Sequence, residues 1–281
     1  EGRDIVAMLA DLPDLWDVNL AGALGNDSKS ARFSPEGFQE DYIRFVKGLT
    51  GKPVVSVGRF TSPERMVAQI KGGIQDFIGA ARPSIADPFL PAKIREGRAD
   101  EIRECIGCNI CRAANNEGVS LRCTQNPTMG EEWRKGWHPE RIAPHAPDKV
   151  LVVGAGPAGL EAALSLARRG LEVSVAFAER QAGGRINRES TLPGLATWGR
   201  VRDWRMTMLA KLPNVTLYPE SAMSADDVAG FDADHVVLAT GSVWRRDGVG
   251  VLGMTPRAFA GALTLDDIFA GAKVSGPVVI Y

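Results

Sequence analysis

All four cysteines of the chain, at positions 105, 108, 111 and 123, fall inside the stretch ECIGCNICRAANNEGVSLRC. The first three form C-x2-C-x2-C, a spacing that puts three thiolates on one small concave loop and suits three corners of an iron-sulfur cubane; Cys123 supplies the fourth. A structural zinc site more often uses two separate C-x2-C knuckles or adds histidines, and no histidine lies in this stretch. Disulfides between cysteines this close would close strained loops. Four ordinary buried thiols would not all gather in twenty residues. The expectation is a 4Fe-4S cluster on Cys105, Cys108, Cys111 and Cys123, with Gly107 allowing the tight turn and Ile106 and Ile110 excluding water. Such a cluster moves one electron at a time, so the flanking sequence must supply a donor and an acceptor.

The sequence after the cysteines, KVLVVGAGPAGLEAALSLARRG, reads as a strand over 150–153, a glycine-rich turn and a helix with apolar spacing at Leu160, Ala163, Leu164 and Ala167. Gly154 permits the turn, Gly156 lets a pyrophosphate approach the backbone, and Gly159 lets helix and strand pack closely. The helix N-terminus then faces the anion. The next strand, in LEVSVAFAERQAGGRI, ends at Glu179, an acidic side chain placed to meet the ribose of adenosine, with Arg180 beside it as a further cofactor contact. ADHVVLATGS reads as a further strand ending at Thr240 and Gly241, and GPVVIY as the opening of another.

Before the cysteines, three strand-like runs, LWDVNLAG, KPVVSVGRF and IQDFIGAARPS, alternate with helical segments over 35–49 and 62–72. That alternation implies a parallel sheet covered by helices. Two of the strands end in small residues followed by arginine: Gly58-Arg59, and Gly79-Ala80-Ala81-Arg82. In a βα-barrel, loops in this position commonly bind phosphate through backbone N–H groups and a guanidinium. Either arginine alone could be a solvated surface charge; the pair favours a phosphate.

The 33 Lys and Arg nearly cancel the 34 Asp and Glu, which argues against a global field for nucleic acid or anionic membrane. No apolar run approaches the roughly 18 residues of a membrane span. The N-terminus lacks a basic region followed by an apolar stretch, so a cytoplasmic location is expected. The chain starts at Glu1 without Met and stops inside an apolar run, as a piece of a longer protein would.

DFIGAARPSIADPFLPAKIREGRADEIRECIGCNIC, CTQNPTMGEEWRKGWHP and VVGAGPAGLEAA together resemble the iron-sulfur flavoproteins related to old yellow enzyme. That group includes trimethylamine, dimethylamine and histamine dehydrogenases, dimethylglycine demethylase and 2,4-dienoyl-CoA reductase. The resemblance implies an α/β architecture: the C-terminal part of a (β/α)8 TIM barrel over 1–104, a 4Fe-4S segment over 105–145, and a Rossmann-like dinucleotide-binding domain over 146–281. It implies FMN at the barrel mouth, its phosphate met by Gly58, Arg59, Ala81 and Arg82, with Arg82 between flavin and cluster. It further implies ADP or FAD in the C-terminal domain, with Glu179 at the ribose.

In LWDVNLAGALGNDSKSARF, the amine-oxidising members are similar in a Trp-Asp strand and an acidic residue shortly before an Arg-Phe pair, here Arg32-Phe33. This implies Asp27 as the catalytic candidate, although GNDS is also a strong turn sequence. Asp17 is expected to be structural or a substrate contact. The stretch resembles the dimethylglycine demethylase type most. The expected activity is oxidative N-demethylation of an N-methyl amine, with electrons leaving through the cluster to a protein acceptor such as an electron-transfer flavoprotein, in a homo-oligomer. The alternatives are an NAD(P)H-dependent 2,4-dienoyl-CoA or enoate reductase, and a non-catalytic electron-transfer module.

Overall fold

A computed structural model of the chain describes residues 1–20, 31–134, 142–247, 249 and 262–279. Its N-terminal part runs α1 (Gly2–Leu9), β1 (Trp16–Val18), α2 (Glu40–Lys47), β2 (Val54–Val57), α3 (Pro63–Lys71), β3 (Phe77–Gly79), α4 (Ala81–Ala86) and α5 (Leu90–Arg95). The three strands form a parallel sheet in the order β1-β2-β3, with Trp16 opposite Val54 and Val55 opposite Phe77. β2 is central, and its β-branched run suits a strand flanked on both edges. α3 opens with Pro63, whose fixed φ and missing N–H fit the first helical turn.

The helix expected over 35–49 is shorter than its apolar pattern, because residues 35–39 are used otherwise. Gly37 takes a φ of +76° and donates its N–H to Gly58 O at 2.7 Å. The Glu36 carboxylate accepts from Thr61 N and Thr61 Oγ1, each at 2.7 Å, and from Ser62 N at 3.1 Å. Burial raises the pKa of Glu36, but these donors outweigh it, and the carboxyl lies below the ordinary glutamate range. Residues 36 and 37 thus clamp the loop that follows β2.

α6 (Ile110–Asn116) follows the first cysteines. Then come β4 (Lys149–Val153), α7 (Pro157–Arg168), β5 (Glu172–Ala176), α8 (Ile186–Glu189), α9 (Arg200–Ala210), β6 (Val215–Tyr218), α10 (Ala225–Gly230), β7 (His235–Leu238) and α11 (Leu265–Phe269). The sheet is parallel throughout, in the order β6-β5-β4-β7, so the first strand of the unit lies inside and the chain reverses direction beside it. In such a sheet ligands bind outside the carboxyl ends of the strands at that reversal. β4 reads as a continuous apolar run because both its faces are covered: Val150 and Val152 pack with Leu160, Leu164 and Val175, while Leu151 and Val153 pack with Ala176. The strand expected in GPVVIY is not formed over Pro277–Val279, which carry no sheet pairing; positions 280 and 281 lie outside the described residues.

Buried ionic contacts join the parts. Asp87 and Lys93 form a fully buried pair at 2.8 Å, and Asp87 also accepts the Arg103 and Phe89 N–H groups. On α9, Arg205 is buried between Glu161 at 2.7 Å and the Gln125 side chain at 3.1 Å, while Arg200 bonds Glu104 at 2.6 Å and Cys105 O at 3.1 Å. The cysteine segment is therefore held between the two sheets rather than standing apart.

Candidate cofactor sites

The two glycine-arginine strand ends meet at one cavity of about 200 Å³, lined by Asn19, Phe38, Gln39, Gly58, Arg59, Ala81 and Arg82 among others. Parallel pairing brings this about: Val57 at the end of β2 lies opposite Gly79 at the end of β3. Gly79 is required there, since a Cβ would lie 2.7 Å from Val57 Cγ1. Arg59 takes a φ of +57°, a conformation L-residues rarely adopt. Its half-buried guanidinium has two nitrogens, Nε and Nη1, with no hydrogen-bond partner. Burial pulls its pKa down, and nearby Glu36 and Cys105 partly restore it. A buried cation with unused donors beside a cavity calls for an anion. The first-turn N–H groups of Ala81 and Arg82 in α4 have no intrahelical acceptor either. The cavity therefore fits the phosphate of FMN, as the sequence suggested for Gly58, Arg59, Ala81 and Arg82. Asn19 and Gln39 were not foreseen, because neither belongs to a motif; only their place at a strand end and a helix start brings them to the wall.

Arg82 turns toward the cysteine segment, where its Nη1 donates to Asn109 Oδ1. The loop that carries Asn109 is sharply bent: Gly107 and Asn109 have φ of +65° and +61°. A Cβ at Gly107 would lie 2.9 Å from Arg32 N and 3.1 Å from Arg59 Nη1. The cysteine loop thus packs directly against Arg59 and Arg82.

Cys105 Sγ accepts from Gly107 N and Cys123 Sγ from Gln125 N, each at 3.4 Å, while Cys108 Sγ lies 3.2 Å from Thr124 Oγ1. Burial pushes the Cys105 and Cys123 thiols up, opposed by these N–H donors; the proximity of Cys108 adds to both shifts. All four cysteines are free and half-buried. Among the described residues, no group of three or more His, Cys, Asp or Glu side chains is arranged to hold a single metal ion. A cubane instead spreads four thiolates over four irons. Backbone N–H donors to the Cys105 and Cys123 sulfurs suit that larger group, and Cys108 and Cys123, though not Cys105 or Cys111, line a neighbouring cavity of about 530 Å³ with Ile106, Ile110 and Trp198.

The nucleotide turn meets the expectations for its three glycines one by one. At Gly154, with φ of +106°, a Cβ would lie 2.3 Å from Ala239 O; at Gly159 it would lie 1.9 Å from Gly154 O; at Gly156 it would meet nothing within 4 Å. The first two are fixed by packing, and the third leaves open space where a pyrophosphate would approach. Gly154 N bonds Ala176 O, and Gly183 N bonds Ala155 O, at 2.8 and 2.7 Å, so the loops after β4 and β5 are joined. Glu179 and Arg180 follow β5 and are exposed; Thr240 and Gly241 follow β7, exposed, with Thr240 N beside the Gly154 turn. Asp27 lies outside the described residues.

A cavity walled by two arginines at the ends of parallel strands, joined to a second parallel sheet with a glycine-rich turn, is consistent with a flavoprotein oxidoreductase, the class to which the family matches assign the chain. Residues 4–101 match the NADH:flavin oxidoreductase / NADH oxidase family, and residues 148–280 the pyridine nucleotide-disulphide oxidoreductase family. The chain is 45% identical over its whole length to 40% of dimethylamine dehydrogenase from Hyphomicrobium sp. (strain x). With a TM-score of 0.90 and 56% identity, 96% of it superposes on 41% of 6-hydroxypseudooxynicotine amine oxidase from Pseudomonas geniculata N1. With a TM-score of 0.86 and 53% identity, 91% of it superposes on 37% of histamine dehydrogenase from Rhizobium sp. 4-9. The chain belongs to the old yellow enzyme-related family of dimethylamine and histamine dehydrogenases. It spans about 40% of the length of the curated relative it matches over its whole length.

Proposed function

We propose that this chain is the part of an amine-oxidising flavoenzyme that holds the FMN phosphate, a 4Fe-4S cluster and an adenine nucleotide, ADP or FAD. The observation that carries the reading is the cavity walled by Arg59 and Arg82, with Arg82 hydrogen-bonded into the cysteine loop. The similarity to amine-oxidising relatives supports an amine as substrate, and dimethylamine dehydrogenase among them supports an N-methyl amine.

FMN held there by Arg59 and Arg82 would supply two-electron oxidation of an N-methyl amine to formaldehyde and the demethylated amine, and a 4Fe-4S cluster on the four cysteines would supply one-electron transfer onward to a protein acceptor. The chain's own residues do the positioning. Arg59 and Arg82 supply charge-assisted donors to the phosphate. Glu36 and Gly37 fix the loop after β2, so that Arg59 keeps its unusual φ. Cys105, Cys108, Cys111 and Cys123 are the cluster ligands in this reading, and the buried Ile106 reduces water access; Ile110, expected to do the same, is exposed because it opens α6 on the solvent side. Gly156 receives the adenine nucleotide's pyrophosphate, with Glu179 at its ribose and Arg180, Thr240 and Gly241 at the rim. Asp27 is proposed to support the base on the substrate side. The whole enzyme is proposed to work as a cytoplasmic homo-oligomer with an electron-transfer flavoprotein as acceptor.

The test is anaerobic incubation of the holoprotein with secondary and tertiary N-methyl amines and a one-electron dye. Formaldehyde should appear in step with dye reduction. Dye reduction by NADH with no formaldehyde from any amine would overturn the reading.

A further inference from the structure

The contact between Arg82 and Asn109 crosses from one cofactor site to the other. Arg82 lines the phosphate cavity, and Asn109 sits between Cys108 and Cys111. At a φ of +61°, glycine would fit without steric cost, and asparagine is one of the few other residues that tolerate the conformation. What asparagine adds over glycine is its amide, and that amide accepts the Arg82 Nη1 hydrogen bond. The same loop meets the second arginine, since Gly107 leaves no room for a side chain between itself and Arg59 Nη1.

We infer that Asn109 is a positioning residue that transmits the conformation of the cysteine loop to the FMN phosphate site through Arg82, so that the cluster and FMN bind with positive cooperativity. This rests on the reading of the two sites given above. A loop held in shape by bound iron presents Asn109 at a fixed place and orients the Arg82 fork toward the cavity. A loop free of iron releases the amide, and Arg82 loses its orientation. Linkage makes the effect reciprocal: bound FMN slows loss of the cluster by the same factor of affinity.

The experiment compares the holoprotein with Asn109→Gly, which keeps the backbone conformation and removes only the amide. FMN affinity is read from the recovery of free flavin fluorescence on dilution, with iron per chain measured on the same samples. At full iron content, Asn109→Gly should bind FMN about tenfold more weakly than the wild type, within the usual range of coupling between sites. Removing iron with a chelator should weaken FMN binding in the wild type and add much less in the variant. An N109G affinity within twofold of wild type at full iron, or an equal effect of chelation in both proteins, would overturn the inference. Asn109→Asp is the second variant: its carboxylate competes with the phosphate for Arg82, so FMN should bind more weakly than in the glycine variant, and equal or tighter binding counts against the proposal. A wild-type holoprotein that holds no FMN would instead defeat the functional reading on which this rests.

Discussion

Replacing Arg59 by glutamine should separate binding from folding, because the guanidinium is half-buried and two of its nitrogens have no partner within the chain. The substitution keeps much of the side chain's length and removes the charge. A charge-assisted hydrogen bond contributes about 1.5–3 kcal/mol net, so loss of the phosphate contact should cost about 2 kcal/mol, or roughly 30-fold in FMN affinity. The FMN-free protein should respond in the opposite sense. There the desolvated cation is supported chiefly by the more distant charge of Glu36, while Arg82 and Arg200 oppose it. Relief of about 1 kcal/mol would raise the melting midpoint of the FMN-free protein by a few degrees. Fluorescence titration of FMN and calorimetry of the FMN-free protein give the two numbers. FMN affinity within threefold of wild type, together with a lower midpoint, would show that Arg59 is a structural cation and that the phosphate site lies elsewhere.

The glycine turn offers a matched pair: Gly159→Ala should destabilise the nucleotide unit by about 3 kcal/mol, since its Cβ would face backbone that cannot yield, whereas Gly156→Ala should leave melting unchanged and weaken ADP retention. Equal melting of the two variants would contradict the assignment of their roles. Asp87→Asn should cost about 3–5 kcal/mol in urea unfolding, because it removes the carboxylate that balances the buried Lys93 charge and leaves that ammonium only neutral acceptors such as Glu101 O, and a cost under about 1 kcal/mol would refute that. The Glu36 carboxyl is held below its ordinary value of 4.5, so its contribution to stability is full above that pH and fades as pH falls through the lower folded value. Glu36→Gln should therefore lower stability by about 2 kcal/mol at neutral pH and flatten the acid limb of the stability profile, and an unaltered acid limb would show that other carboxylates set it.

The first sheet and three of the four strands of the second were legible in the sequence because they are strongly marked, β4 by an unbroken apolar run and β2 by valines ahead of a glycine; the short edge strand β6 was not read, and the strand expected in GPVVIY is not formed over 277–279. The three glycines of the nucleotide turn could be assigned in advance because each is tied to a local steric need. The start of α2 was harder to read. Residues 35–39 carry a helical pattern, but Glu36 and Gly37 are drawn into bonds with a loop more than twenty positions away, and no local signal reveals that. Asn109 escaped notice for a related reason. Its residue type is ordinary in a turn, and its importance comes from an arginine 27 positions earlier, in the first turn of α4, that only the tertiary fold brings near. The arginine pair was read from the sequence as a phosphate site, and what the structure adds is that parallel pairing of β2 with β3 brings the two motifs to one cavity.

The central claim is that an N-methyl amine, rather than a reduced nicotinamide, supplies the electrons. The most direct measurement is rapid mixing of the oxidised holoprotein with such an amine under anaerobic conditions, following the flavin absorbance in a single turnover. The account predicts that the amine bleaches the flavin, that absorbance assigned to an iron-sulfur centre falls next, and that about one formaldehyde is released per flavin reduced. NADH should leave the flavin oxidised on the same timescale. Rapid bleaching by NADH, with none by any N-methyl amine, would contradict the account.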